Sequence, residues 1–154
     1  MQIDGGGWAE LMEQALALAD EATDHDVPVG ALVVRDGEVL AARHNEKERL
    51  GDPTAHAEIL ALRDAAAALG TWRLDGCTLV VTLEPCPMCA GAAWASRVDH
   101  VVFGAFDMKA GALTSLYGVG SDPRLNHEFE VTGGVLAERA AAQLSGFFAD
   151  LRNG

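Results

Sequence analysis

His56 and Glu58 stand two positions apart in the segment DPTAHAEI. On the flank of a helix, residues at this spacing do not face each other. In the first turn, however, side chains can project past the helix end toward a ligand on its axis. The segment therefore indicates a site in front of a helix N-terminus, where histidine binds a metal ion and glutamate carries protons.

A second pair of reactive residues follows in the segment EPCPMCAG, where Cys86 and Cys89 are three positions apart and so share one helical face. Pro85 and Pro87 mark the start of their helix. A helix N-terminus favours negative charge and so helps to hold cysteines as thiolates. If the two helix starts point at one spot, one imidazole meets two thiolates, a ligand set that suits Zn²⁺.

The number of ligands indicates a catalytic metal. A structural zinc normally has four protein ligands, whereas a catalytic zinc has three and an open position. His56, Cys86 and Cys89 supply three, and Glu58 is left beside the open position, where it can move a proton from water to a leaving group. A redox dithiol is the alternative for the two cysteines, but the full set of residues favours metal. We expect Cys77 to be a buried thiol rather than a fourth ligand.

Hydrophobic periodicity predicts the elements that must carry these residues. The hairpin is expected at the Asp36–Gly37 turn, and Asp52 is expected to cap the next helix with Pro53 at its first position. The predicted elements are a helix over 8–23, a hairpin over 27–45, a helix over 52–70, a strand over 77–84, a helix over 85–97, a strand over 98–105, Gly-rich loops over 106–128 and a helix over 134–153.

The alternation of strands and helices in the second half predicts parallel pairing and a mixed sheet covered by helices on both faces. The length of 154 residues suits a single domain over 1–154. No apolar run reaches transmembrane length and the N-terminus lacks a secretory pattern, so we expect a cytoplasmic protein without membrane contact. The net charge of −12 argues against broad nucleic-acid binding but allows a local basic groove.

The signature His-x-Glu followed by Pro-Cys-x-x-Cys resembles that of the cytidine deaminase-like zinc enzymes. Longer segments, among them VPVGALVV, HNEKERLGDPTAHAEILALR, TWRLDGCTLVVTLEPCPMCAGA and SRVDHVVFGAFDMKAGA, resemble bacterial tRNA-specific adenosine deaminases. The resemblance implies an α/β fold of three α/β/α layers around a mixed five-stranded sheet. It also implies a homodimer with one Zn²⁺ per subunit.

The activity implied by this resemblance is hydrolytic deamination of adenosine to inosine at the wobble position of a tRNA anticodon, in an arginine tRNA, with no DNA substrate. Glu58 would be the catalytic residue. Carried over by position, Asn45 would hydrogen-bond the nucleotide, Pro28 and Val29 would form the pocket wall, and Asp107 and Lys109 would contact RNA. A narrow positive rim is expected around the metal, built from some of Arg43, Lys47, Arg49, Lys109 and Arg124.

Two other functions stay open at this stage. The acidity of the chain and the position of Trp94, near which guanine deaminases carry a tryptophan, favour a deaminase of a free base or nucleoside such as guanine or cytosine. A zinc-stabilised RNA-binding module without activity would need a fourth metal ligand or lack a proton carrier. The presence of Glu58 argues against that module.

Overall fold

The computed structural model describes residues 5–153 and contains one five-stranded sheet with strand order β2-β1-β3-β4-β5. No helix in this part of the chain is long and apolar enough to cross a membrane. The elements are α1 (Gly5–Ala19), β1 (Gly30–Arg35), β2 (Glu38–His44), α2 (Lys47–Leu50), α3 (Ala57–Leu69), β3 (Cys77–Leu83), α4 (Pro87–Ser96), β4 (His100–Ala105), a 3₁₀ turn (Val119–Ser121), β5 (Glu130–Thr132) and α5 (Ala137–Asn153).

The sheet is mixed, as the sequence predicts. β1 pairs antiparallel with β2 and β3, whereas β3–β4 and β4–β5 are parallel. The β1–β2 hairpin turns at Asp36 and Gly37, whose φ angles of 51° and 79° are both positive. A two-residue turn of this kind matches the twist of the paired strands. Because β3 and β4 are parallel, their carboxyl ends lie at the same edge of the sheet.

Helices cover both faces of the sheet. On one face, α1 and α5 contribute to a hydrophobic cluster that includes Met12, Leu32 and Val80. On the other face, α3 and α4 contribute to a second cluster that includes Ala61 and Leu79. Successive residues of β3 thus alternate between two cores, as expected for a central strand buried on both sides. The predicted three-layer α/β/α arrangement is confirmed.

Two short elements were not predicted from the sequence. β5 has three residues with one exposed side chain, so it lacks the longer apolar run by which a strand is recognised. α2 has four residues within the polar segment between the predicted hairpin and the next predicted helix. The first helix, predicted to reach residue 23, ends at Ala19.

The helix that carries Glu58 begins at Ala57, so the predicted cap at Asp52 is wrong. The Asp52 carboxylate instead accepts hydrogen bonds from the Thr54 amide and hydroxyl, both at 2.9 Å. This local turn competes with helix formation. His56 becomes the N-cap residue, with extended backbone at φ −72° and ψ 151°.

We expect Gly30→Ala to destabilise the protein, because α1 crosses β1 at this residue. A Cβ at Gly30 would overlap the carbonyl oxygen of Ala15 and lie 3.0 Å from the Ala19 nitrogen. Since these are backbone atoms, the helix must move, at a cost of about 1–3 kcal/mol. Urea unfolding followed by circular dichroism measures the change.

Gly146→Ala is the matched control. Gly146 lies inside α5, and a Cβ there meets nothing within 4 Å. Alanine in a helix interior is favoured over glycine by about 1 kcal/mol, so this variant should be more stable than the wild type. A Gly30→Ala protein as stable as the wild type would contradict the close packing of α1 on β1.

Candidate active site

The N-termini of α3 and α4 meet at one point and bring together His56, Cys86 and Cys89. His56 is the N-cap of α3, Cys86 is the N-cap of α4, and Cys89 lies in the first turn of α4. The ligand atoms of the three residues all lie within 4.8 Å of one another. Cys77 is buried at the start of β3 and is not part of this group.

The spacing of these atoms fits a zinc ion. His56 Nδ1 lies 3.7 Å from Cys86 Sγ and 3.4 Å from Cys89 Sγ. Around a tetrahedral zinc, bond lengths of about 2.0 Å to nitrogen and 2.3 Å to sulfur place these two atom types about 3.5 Å apart. The donor set, one imidazole and two thiol groups, is also one that zinc prefers.

The electrostatics of the cluster favour negative charge on sulfur. A hydrogen bond from the Cys89 thiol lowers the pKa of Cys86 to about 4. The same bond, together with burial, raises the pKa of Cys89. The contact with Cys86 raises the pKa of His56. The groups therefore share protons around one thiolate, and a divalent cation can take the place of those protons.

Glu58 lies in the first turn of α3 beside the cluster. Its side chain is buried, and burial raises the pKa of its carboxyl group above the ordinary value. A carboxyl group with a raised pKa can both accept and release a proton near neutral pH. The structure therefore places a group that could carry protons next to His56, Cys86 and Cys89.

A cavity of about 240 Å³ opens in front of the two helix N-termini. Of the residues predicted from the sequence to contact the substrate, Val29, Asn45 and Asp107 line it together with Glu58. His56 and Cys86 also line it, as does Lys47, which was expected in the positive rim. Sequence reasoning did not identify the remaining lining residues, which are Val27, Ala57, Leu83, Glu84 and Ala110.

Pro28 and Lys109 do not line this cavity. Pro28 lines a groove between the end of α1 and α5, because its neighbours Val27 and Val29 face the cavity and alternate residues of extended chain point to opposite sides. Lys109 lies in an adjacent groove between α5 and the loop that follows β4.

A hydrogen-bonded network holds the wall that carries Asn45. The Asn45 side-chain amide donates to the Val27 carbonyl at 3.2 Å and accepts from the Lys47 amide at 3.4 Å. The buried Asp26 carboxylate accepts from the amides of Glu48 and Arg49 in α2, at 2.7 and 3.1 Å. The segments on either side of the β1–β2 hairpin are thereby tied together at the mouth of the cavity.

The arginines of the predicted positive rim are paired with acidic residues. Arg43 pairs with Glu46 at 2.7 Å and Asp64 at 2.8 Å, Arg49 with Glu46 at 3.2 Å, and Arg124 with Asp122 at 2.7 Å. Among residues 5–153, the exposed Lys47 and Lys109 side chains form no ion pair. Of the five residues expected to form the positive rim, Lys47 and Lys109 are therefore the two whose charge no ion pair among the described residues neutralises.

Residues 8–105 match the family described as cytidine and deoxycytidylate deaminase zinc-binding region. The chain is 50% identical over 142 residues to the tRNA-specific adenosine deaminase of Bacillus subtilis, covering 92% of this chain and 88% of the relative. Among solved structures, a tRNA:A34 deaminase that performs A-to-I editing at the wobble position of transfer RNA superimposes with a TM-score of 0.83 and 43% identity, covering 88% of this chain and 99% of that chain.

A guanine deaminase from Nitrosomonas europaea is also similar, with a TM-score of 0.74 and 28% identity over 97% of this chain and 86% of that chain. The identity to the tRNA enzymes is higher and extends over most of both chains. The matched region also contains the three residues of the cluster, His56, Cys86 and Cys89, together with Glu58. This chain belongs to the zinc-binding cytidine and deoxycytidylate deaminase family and, within it, to the tRNA-specific adenosine deaminases.

Proposed function

We propose that this protein hydrolytically deaminates adenosine to inosine at the wobble position of a tRNA anticodon. The observation that carries the proposal is the His56, Cys86 and Cys89 cluster with the buried Glu58 beside it, at the base of a small cavity. The cavity of about 240 Å³ is smaller than the roughly 300–1,000 Å³ of sites for drug-sized ligands, and so suits a single base. The similarity to tRNA-specific adenosine deaminases supports adenine as the base and tRNA as the substrate.

Each residue of the site has a role in this reaction. Zn²⁺ held by His56, Cys86 and Cys89 would supply Lewis-acid activation of a water molecule. The Glu58 carboxylate takes a proton from the attacking water and delivers it to the departing amino nitrogen. Water adds at C6 of the adenine ring, the bond from C6 to the amino nitrogen breaks, and ammonia leaves inosine behind.

Asn45, Val29 and Asp107 hold the nucleotide in this proposal. The side-chain amide of Asn45 lies in the cavity wall and can donate to and accept from a base or ribose. Val29 provides an apolar wall, with Pro28 behind it on the other side of the chain. Asp107 hydrogen-bonds a sugar hydroxyl, since its carboxylate would repel a phosphate.

An acidic protein can bind this RNA without a large basic surface, because the wobble base already lies in a loop. Extruding that base costs roughly a few kcal/mol. Recognition then depends on stacking and on polar contacts with splayed bases. The groove beside the cavity presents exposed Phe106, Met108 and Phe148 next to Lys109. These apolar side chains offer a stacking surface, and Lys109 offers a phosphate contact.

The proposal also covers the oligomeric state, the cellular location and the RNA partner of the protein. Residues 1–154 act as one deaminase domain with one zinc per subunit, in the cytoplasm, on an arginine tRNA and not on DNA. Two subunits pair through α4, where Met88, Ala92 and Trp94 are only partly buried. The apolar composition of α4 supports a contact with a second copy.

The second candidate is deamination of a free base. The similarity to the guanine deaminase and the net charge of −12 favour it. Trp94 does not, because it lies on α4 outside the residues that line the cavity. A non-catalytic zinc module is disfavoured by the position of Glu58 beside the cluster.

Parallel assays with one enzyme preparation distinguish these functions. We expect inosine and ammonia from an arginine-tRNA anticodon stem-loop, and no ammonia from free guanine, cytosine, adenosine or cytidine. Stem-loops with guanosine or cytidine at the wobble position are the matched controls. Deamination of free guanine without reaction of the stem-loop would overturn the proposed function.

We expect Glu58→Gln to retain zinc and fold but lose most turnover. Glutamine fills the same space and cannot carry the proton, and general acid–base catalysis contributes about 10²- to 10⁴-fold. Metal analysis, circular dichroism and single-turnover rates measure the three properties. The exposed Glu38→Gln variant, at the start of β2, should behave as wild type. A Glu58→Gln enzyme with bound zinc and a native rate would exclude Glu58 as the proton carrier.

We expect Lys109→Ala to weaken stem-loop binding and reduce its salt dependence. Each phosphate contact on a single strand contributes about 0.7 to the slope of log affinity against log salt. Arg73→Ala is the control, because Arg73 is exposed, pairs with Asp75 and lies outside the cavity and its adjacent groove. Equal slopes for Lys109→Ala and the wild type would show that Lys109 makes no phosphate contact.

A further inference from the structure

Glu84 is a buried carboxylate immediately before the turn that carries the cysteine ligands. It follows the last residue of β3 and is only 1% exposed. One carboxylate oxygen accepts from the amide of Asp107 at 3.0 Å and from the Ser115 hydroxyl. The other accepts from the amides of Leu113 at 3.2 Å, Thr114 at 2.8 Å and Ser115 at 2.9 Å. Every one of these donors belongs to the loop over 107–115.

The same loop carries residues of the cavity and its rim. Asp107 and Ala110 line the cavity, and Lys109 lies in the adjacent groove. The Asp107 side chain accepts from the amides of Lys109 and Ala110 at 3.0 and 3.1 Å. A further hydrogen bond from the Ala112 amide reaches the Pro85 carbonyl at 2.9 Å. The position of Asp107 therefore depends on the contact between the loop and the turn at Glu84 and Pro85.

The loop closes tightly around the carboxyl group. At Gly111, an added Cβ would overlap both the Glu84 carboxyl group and the carbonyl oxygen of Asp107. The absence of a side chain at Gly111 is what allows the loop to reach the carboxylate from several sides. The burial of the Glu84 carboxylate and the closure of the loop around it thus depend on Glu84 in the turn and on Gly111 in the loop.

An acceptor-only group is required at this position. Every hydrogen bond to the two Glu84 carboxylate oxygens comes from an N–H or O–H donor of the loop, so both oxygens act as acceptors. A glutamine side chain has one oxygen, which can replace only one of the two carboxylate oxygens of Glu84. Its NH₂ group would then face the N–H or O–H donors that bind the other oxygen. At least one buried amide would then lose its partner.

We propose that Glu84 is a positioning residue for substrate binding, which holds the loop over 107–115 where Asp107 and Ala110 complete the cavity wall. Glu84 acts through the loop, since its oxygens are occupied by loop donors. The identity of the substrate in this inference rests on the proposed function. The anchoring of the loop rests on the contacts alone.

Glu84→Gln tests the proposal. The KM for the anticodon stem-loop should rise about tenfold, equivalent to about 1.4 kcal/mol, because only part of the population holds the loop in the binding position. The kcat should change by less than about twofold, and zinc content should stay at one per chain, since the ligands are unaffected. A fall in kcat with unchanged KM, or loss of zinc, would overturn the proposal.

Hydrogen exchange provides a readout that needs no substrate. In Glu84→Gln, the amides of Asp107, Leu113, Thr114 and Ser115 should exchange faster, while amides in the sheet keep their protection. Gly111→Ala, which displaces the same contact from the loop side, should reproduce both the exchange pattern and the KM. Unchanged exchange in both variants would overturn the anchoring role.

Met12→Ala controls for a general loss of stability. Met12 is fully buried in the cluster under α1, on the face of the sheet away from α3 and α4. This variant should unfold at lower denaturant concentration and keep the wild-type KM. If the wild-type enzyme turns over a free base and not the stem-loop, the proposed function fails. The KM comparison is then made with that base, and a KM unchanged by Glu84→Gln would overturn the positioning role.

Discussion

The convergence of two helix N-termini at one edge of the sheet is the constraint on which the site depends. The imidazole of His56 and the thiol of Cys86 come from the N-cap residues of α3 and α4, where the backbone leaves the helix and the side chain points past its end. The positive end of each helix stabilises the thiolate charge. The sheet sets the separation of these helices, because α4 follows β3 directly and α3 packs against β1 and β2.

Glu58 and Glu84 are buried carboxylates that line the cavity, and the buried Asp26 lies next to Val27 of its wall. The surroundings of these three carboxylates give them different roles. Glu58 lies in an environment that raises its pKa, which suits a group that exchanges protons. Glu84 and Asp26 accept hydrogen bonds from several amides and act as anchors for the loops on either side. A buried charge is costly unless it is hydrogen-bonded, so the number of donors distinguishes an anchor from a proton carrier.

Net acidity is compatible with the proposed RNA binding, because positive charge is needed only locally. Arg43, Arg49 and Arg124 are neutralised by adjacent carboxylates, whereas Lys47 and Lys109 stay exposed near the cavity. The groove that contains Lys109 is otherwise largely apolar. Affinity for an anticodon loop would then depend more on stacking than on phosphate contacts, with a weak dependence on salt.

The sequence by itself determined the mixed sheet and the choice of candidate metal ligands and candidate proton carrier, because each follows from residue type, spacing or periodicity within a short segment. The tertiary structure decided the start of α3 at Ala57, the short edge strand β5 and the orientation of Pro28 away from the cavity. It also decided the role of Glu84, whose partners lie between 23 and 31 positions away in the chain. No local pattern encodes such contacts, since they form only when the strands and helices have packed and brought a distant loop against the turn.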